Sequence, residues 1–112
     1  MDRNKIGKDF ARAVNMSAAE LQDWLKTQAS VAAGWKGANG ERRESVGHAS
    51  GSRIIEILGK RKTELSDSDY AHMRKVVGYV HRHSAQRPAN IYTSRWRYSL
   101  MNWGHDPVKE AD

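Results

Sequence analysis

The apolar residues of this chain recur mostly at intervals of three and four, the spacing of one helix face. Near the start Ile6, Phe10, Ala13 and Val14 keep that spacing and predict a short amphipathic helix, read as an N-terminal arm over residues 1–15. Ser17-Ala18-Ala19-Glu20 then has the form of a capping box, with Met16 and Leu21 placed to staple the helix entry. Leu21, Trp24 and Leu25 give this helix one apolar stripe, expected to fade near Ser30. From Ser30 to Gly47 the periodicity stops. Gly34, Gly37, Gly40 and Gly47 stand among charged residues there and predict a long Gly-rich surface loop. A further helix is expected to start between Ser50 and Arg53 and to carry Ile54, Ile55, Ile57 and Leu58 inward before Lys60-Arg61-Lys62. The β-branched residues also fit a strand, but Ser at the start and cations in the last turn favour a helix.

Ser66 opens the most clearly marked element, with Asp67 and Asp69 in the electropositive first turn and an end near Ala85, short of Pro88. The last patterned stretch, Ser94 to Trp103, reads two ways. Trp96, Leu100 and Trp103 suit a helix, whereas Trp96, Tyr98 and Leu100 alternating with Arg95, Arg97 and Ser99 suit a strand; Gly104 as a stop signal favours the helix. The pattern as a whole predicts an all-α fold of about four helices in a small bundle, as a single domain over residues 16–108 with a disordered tail at 109–112.

Composition narrows the class of protein. At 112 residues, 38% of them hydrophobic and with four Trp, the chain is long enough for one modest core. It has no Cys, which excludes disulfides, thiolate metal sites and cysteine nucleophiles and suits a reducing compartment. No signal peptide or membrane span is expected, so the expected location is the cytoplasm, or the nucleoid for a DNA binder. The charge is unevenly placed. Tyr70 to His105 holds Arg74, Lys75, Arg82, Arg87, Arg95 and Arg97 and no acidic residue, so the whole net charge of +6 sits there, leaving 13 basic against 13 acidic residues elsewhere.

Projecting the Ser66 helix at about 100° per residue separates three faces. Tyr70, Met73, Val76, Val77, Val80 and Ser84 point inward. Arg74, Lys75, Gly78, His81 and Arg82 form a basic strip whose central Gly would let a backbone or base approach. Such a strip suits phosphates, because bound cations release condensed counterions, although it is also the pattern of an ordinary solvated face. The third face carries His72, Tyr79 and His83. His72 and His83 are eleven residues and thus roughly 16 Å apart, too far to share an ion, so no metal and no other cofactor is expected. Gly47, His48, Ser50, Gly51 and Arg53 suggest an anion seat at a helix N-terminus, or else Ser50 or Ser52 simply caps that helix. The same segment differs from a Gly-x-Ser-x-Gly nucleophile elbow, since its Ser falls one position late and no sheet supports it. The four Trp could stack on bases, with core packing expected for at least three of them.

The segments GHASGSRIIEIL, SDYAHMRKVVGYVHRHSAQRP and RWRYSLMNWGHDP resemble a family of small bacterial and fungal proteins catalogued as a domain of unknown function, number 3140, over about Met16 to Pro107. The resemblance implies a DNA-binding label, carried by many members, but no catalytic residues. Ser52-Arg53 stands where the family tends to show a basic pair, which weakens an anion seat there. The function expected is nucleic-acid binding, DNA before RNA, through Arg74, Lys75, Gly78, His81, Arg82, Arg87, Arg95 and Arg97, mainly by phosphate contacts and with little sequence preference. The alternative is an interaction module docking an acidic protein partner. A membrane partner and an enzymatic role are not expected.

Overall fold

The computed structural model describes residues 2–33 and 45–111 and is all-helical over them, with no strand. Gly34, Trp35, Gly37 and Gly40, read as part of the loop, lie outside the described residues. Seven α-helices are described where about four were expected: α1 (Arg3–Ala13), α2 (Ala18–Leu25), α3 (Gln28–Ala33), α4 (Val46–Leu58), α5 (Asp67–Ser84), α6 (Arg95–Asn102) and α7 (Pro107–Ala111), with one 3-10 turn at Lys62–Glu64. Leu21, Ile54, Val76 and Leu100, from α2, α4, α5 and α6, are fully excluded from solvent and mark the centre of one core.

Helix α1 is part of that core and not a separate arm. Asp2 caps it by accepting from the Lys5 amide at 3.1 Å, and Ile6, Phe10 and Val14 bury a stripe as α1 packs along α5. At the α1 N-terminus Arg3 pairs with Asp67 and lies over the Tyr70 ring, 4.8 Å from its centroid. The capping box of Ser17 and Glu20 forms as expected. The helix it starts does not run to Ser30, because Thr27 diverts the chain. Its hydroxyl donates to the Trp24 carbonyl at 2.7 Å and accepts from the Ser30 amide at 3.1 Å, which closes α2 and opens α3.

Helix α4 begins about five residues before the expected start. Ser45 is the cap, accepting from the His48 amide at 3.0 Å, and Gly47 and Gly51 lie inside the helix. Gly47, read as the end of the loop, and Gly51, placed at the expected helix start, instead let α4 meet α6 closely. A Cβ on Gly51 would stand 2.7 Å from the Asn102 carbonyl oxygen and 2.8 Å from Leu25 Cδ2. Helix α5 matches its expected span, with Ser66 and Asp69 forming a capping box.

The ambiguous segment is helical. Ser94 accepts from the Arg97 amide, and α6 ends in a Schellman arrangement: the His105 amide bonds Leu100 O, the Gly104 amide bonds Met101 O, and Gly104 takes φ +80°. Gly104 O then accepts from the Met16 amide at 3.2 Å, tying the end of α6 to the start of α2. The expected tail over 109–112 is helical through Ala111, since Pro107 opens α7 and Asp106 accepts from the Val108 amide. No described helix is long and apolar enough to cross a membrane.

Candidate functional site

The three faces projected on α5 have three different fates. Tyr70, Met73, Val76 and Val80 are buried as expected, and Val77 is half-buried. On the basic strip Arg74, Lys75, His81 and Arg82 are exposed. The Gly78 gap is not open, because the Arg82 guanidinium folds back one turn over it, its Nη1 2.9 Å from where a Cβ would stand.

The strip also divides. Arg74 faces a groove against α1 that it shares with Asp2, Lys5 and Asp9. Lys75 and Arg82 face the other way, into a cleft of about 420 Å³ between α4, α5 and α6 whose rim Arg95 completes from the start of α6. Among the described residues, no acidic side chain lines that cleft. His81 lines a wider groove beside Arg12 and Arg82, and Arg87 is exposed just beyond α5.

Arg97 does not join them, although it is the same residue type two positions from Arg95. Its guanidinium grips Asp106 with both arms, at 3.1 and 3.2 Å, and donates a third bond to Tyr92 O at 2.7 Å. Asp106 is buried and Arg97 half-buried, and the pair links α6 to the cap of α7. Arg53 and Lys60 are committed in the same way, to the buried carboxylate of Asp69 at 3.0 and 2.8 Å. The Lys60 ammonium, then the Ser66 amide, with Arg53 adding to them, hold that carboxylate well below the usual range. Arg74, Lys75, Arg82, Arg87 and Arg95 have no ion pair among the described residues.

The third face of α5 receives a ring from elsewhere. Trp103, at the end of α6, inserts between His72 and Tyr79, nearly parallel to both, at centroid distances of 6.3 and 4.2 Å. His83 stacks on Tyr79 at 5.1 Å, completing a ladder of four rings. Burial holds the His72 imidazole below its ordinary value, with Arg53 and Lys75 pushing the same way, and burial lowers His83 too. Burial raises the Tyr79 phenol. The ladder covers the faces of Trp103 and Tyr79, and both residues also line the cleft.

The five residues read as an anion seat are not arranged as one. With Ser45 as the cap, Ser50 and Arg53 lie in the second and third turns of α4, where the amides belong to the helix ladder. Ser50 is buried with its hydroxyl 3.0 Å from His72 Nε2, and His48 Nε2 is 2.8 Å from Leu25 O. A Ser–His contact has the spacing of a nucleophile and base, but no described side chain bonds His72 Nδ1, and Asp69 is occupied by its two cations. No group of three potential metal-ligating side chains occurs among the described residues. Of the tryptophans, Trp24 donates to Asn102 Oδ1 at 2.8 Å and Trp96 to His83 O at 2.6 Å, so both act in packing.

Asn102 went unnoticed in the sequence. Fully buried, it accepts from Trp24 and from the Ser30 hydroxyl and donates to Ser30 O at 3.0 Å, joining α2, α3 and α6 behind the cleft. Its one sequence signal is a polar residue on the apolar side of a short helix.

These features define a small all-helical protein with a cation-rimmed cleft braced by an aromatic ladder. The chain belongs to the family described as protein of unknown function (DUF3140), whose model matches residues 9–101. No curated protein and no solved structure matches the chain.

Proposed function

We propose that this protein binds nucleic acid, DNA in preference to RNA, mainly through phosphate contacts and with little sequence choice. The observation that supports this reading most is the convergence of Lys75, Arg82 and Arg95 on the mouth of one cleft that no carboxylate of the described residues lines. Arg74 and Arg87 extend the cationic surface on either side, both exposed and without a described ion pair. Arg97 is left out of the interface because Asp106 already pairs its charge and three of its N–H donors are held by Asp106 and Tyr92 O. Cations held apart from carboxylates draw phosphates by releasing condensed counterions, a gain that depends on backbone charge and not on base sequence. Lys75 and Arg82 are two turns apart on α5, about 10.5 Å along its axis, so each can address a different phosphate.

Titration of a fluorescent duplex and of a single strand at a series of salt concentrations tests the reading. Binding should be tightest near 50 mM salt, fall steeply as salt rises and vary little with sequence. Absence of binding to either nucleic acid at that salt would reject it. Capture of an acidic polypeptide by the same cations would then take its place.

A further inference from the structure

The cleft between α4, α5 and α6 presents more than charge. At its inner corner Gly47 has no side chain, and a Cβ there would stand 3.2 Å from Trp103 Nε1. Trp103 is buried overall, but without a side chain at Gly47 its Nε1 corner reaches the cleft wall. Its N–H has no acceptor among the described residues, whereas those of Trp24 and Trp96 are both satisfied. Val46 and the edge of Tyr79 supply apolar wall, and Lys75, Arg82 and Arg95 stand at the mouth.

An occupant of this cleft meets three conditions. It has an apolar, flat part able to lie against ring edges, an acceptor for the Trp103 N–H, and more than one negative charge. A single carboxylate would leave two of the three cations uncompensated. Inorganic phosphate would satisfy the mouth and leave the inner corner unused. At about 420 Å³ the space is within the range of small-ligand sites.

We infer that the cleft is a nucleotide site, in which a ring nitrogen or carbonyl of the heterocycle accepts from Trp103 Nε1–H and the phosphates lie on Lys75, Arg82 and Arg95. The ladder supports this role by holding Trp103 edge-on, with His72 on one side and Tyr79 on the other. The nucleotide is either free or the unpaired end of a strand, and the second case rests on the nucleic-acid reading above.

Calorimetric titration of the full chain with ADP, GDP, CDP and UDP, with pyrophosphate and adenosine as partial ligands, tests the assignment. At least one nucleotide should bind ten times or more tighter than either partial ligand. Val46→Trp fills the cleft with no loss of charge and should weaken that nucleotide at least tenfold, while blunt duplex DNA binds within twofold of wild type. Trp103→Phe keeps a ring in the ladder and deletes the N–H, so it should weaken the nucleotide but not pyrophosphate; melting by circular dichroism confirms that both variants are folded. A duplex with a single-stranded overhang that competes with the nucleotide, and is itself weakened by Val46→Trp, identifies a strand end as the source. A nucleotide that no overhang displaces identifies the free form. Pyrophosphate binding as tightly as every nucleotide, nucleotide affinity untouched in folded Val46→Trp, or no nucleotide bound at about 1 mM, the weak limit of specific association, would each overturn the assignment. Failure of duplex binding alone would reject the proposed function and leave this site standing.

Discussion

Arg95 and Arg97 are two residues apart and carry the same charge, yet the structure separates what their loss should do. Arg95 rims the cleft with no ion pair among the described residues, whereas Arg97 is clamped to Asp106 and Tyr92 O. If Arg74, Lys75, Arg82 and Arg95 meet phosphates on a duplex, about four counterions are released and log K against log salt should fall with a slope of about −4. Lys75→Gln with Arg82→Gln should flatten that slope by about 2, and Arg95→Gln by about 1, each at little expense in stability because exposed substitutions usually cost under about 0.5 kcal/mol. Arg97→Gln should leave the slope unchanged. It removes both Arg97 donors from Asp106, whose side chain is 11% exposed and keeps only the Val108 amide among the described residues, and leaves Tyr92 O without its bond. A fully buried pair broken in this way costs about 3–5 kcal/mol, and partial access of water brings the expectation here to about 1–3 kcal/mol. At about 4–8 °C per kcal/mol for a small domain, the melting temperature should drop by roughly 4–24 °C. The assay is fluorescence anisotropy on a labelled duplex from about 50 to 200 mM salt, with thermal melts of every variant, and Lys8→Gln with Lys26→Gln as a charge-matched control off the cleft. A slope flattened by Arg97→Gln in folded protein, or equally by the control, would refute this division of the cations.

Asn102→Leu keeps the branching of the side chain but orphans the Ser30 hydroxyl and carbonyl and the Trp24 N–H, which should cost about 3–6 kcal/mol; adding Ser30→Ala should restore roughly 1 kcal/mol, and strictly additive losses would count against the network. Gly51→Ala forces a methyl against the Asn102 carbonyl and Leu25 and should destabilise by about 1–3 kcal/mol, whereas Gly7→Ala, with nothing within 4 Å, should stabilise α1 by about 0.5–1 kcal/mol; chemical denaturation distinguishes the two signs. His72 and His83 are held below their ordinary value of 6.5 by burial, so the unfolded chain binds more protons, and stability present above about pH 6.5 should be lost as pH falls through the folded values. Melts between about pH 7.5 and 5 should show that loss, reduced in His83→Phe, which keeps the ring on Tyr79; a melting temperature that climbs toward acid would contradict it.

What was legible in the sequence is what is decided within one helical turn. Ser17, Ser66 and Ser94 each cap the amide three residues on, and Gly104 adopts the left-handed turn that ends α6, so these boundaries follow from local chemistry alone. The misread boundaries depend on distant partners. Gly47 looks like a loop residue and Gly51 like a helix-start or anion-seat residue until Asn102, some fifty positions later, is known to pass against them, and only then does a bare stretch of helix become the better use of glycine. Thr27 is an ordinary helix-surface residue until its hydroxyl bonds both the helix it ends and the one it begins.

Charge follows the same division between local and distant causes. The stretch from Tyr70 to His105 has no acidic residue, but Asp106 is the next one along, and it takes Arg97 out of the cationic surface. Asp69, one position before the stretch, neutralises Arg53 and Lys60 from α4 and its following turn, which confines the uncommitted charge near α5 more closely than composition implies. The cleft itself could not be read from any single helix. Its rim takes Lys75 and Arg82 from α5 and Arg95 from α6, and its inner edge is Trp103, which fills a third face of α5 that was recognised but had no visible occupant. Local periodicity places each of these groups on the right side of its own helix; only the packing of α6 against α4 and α5, set by Gly47, Gly51 and Asn102, brings them to one mouth.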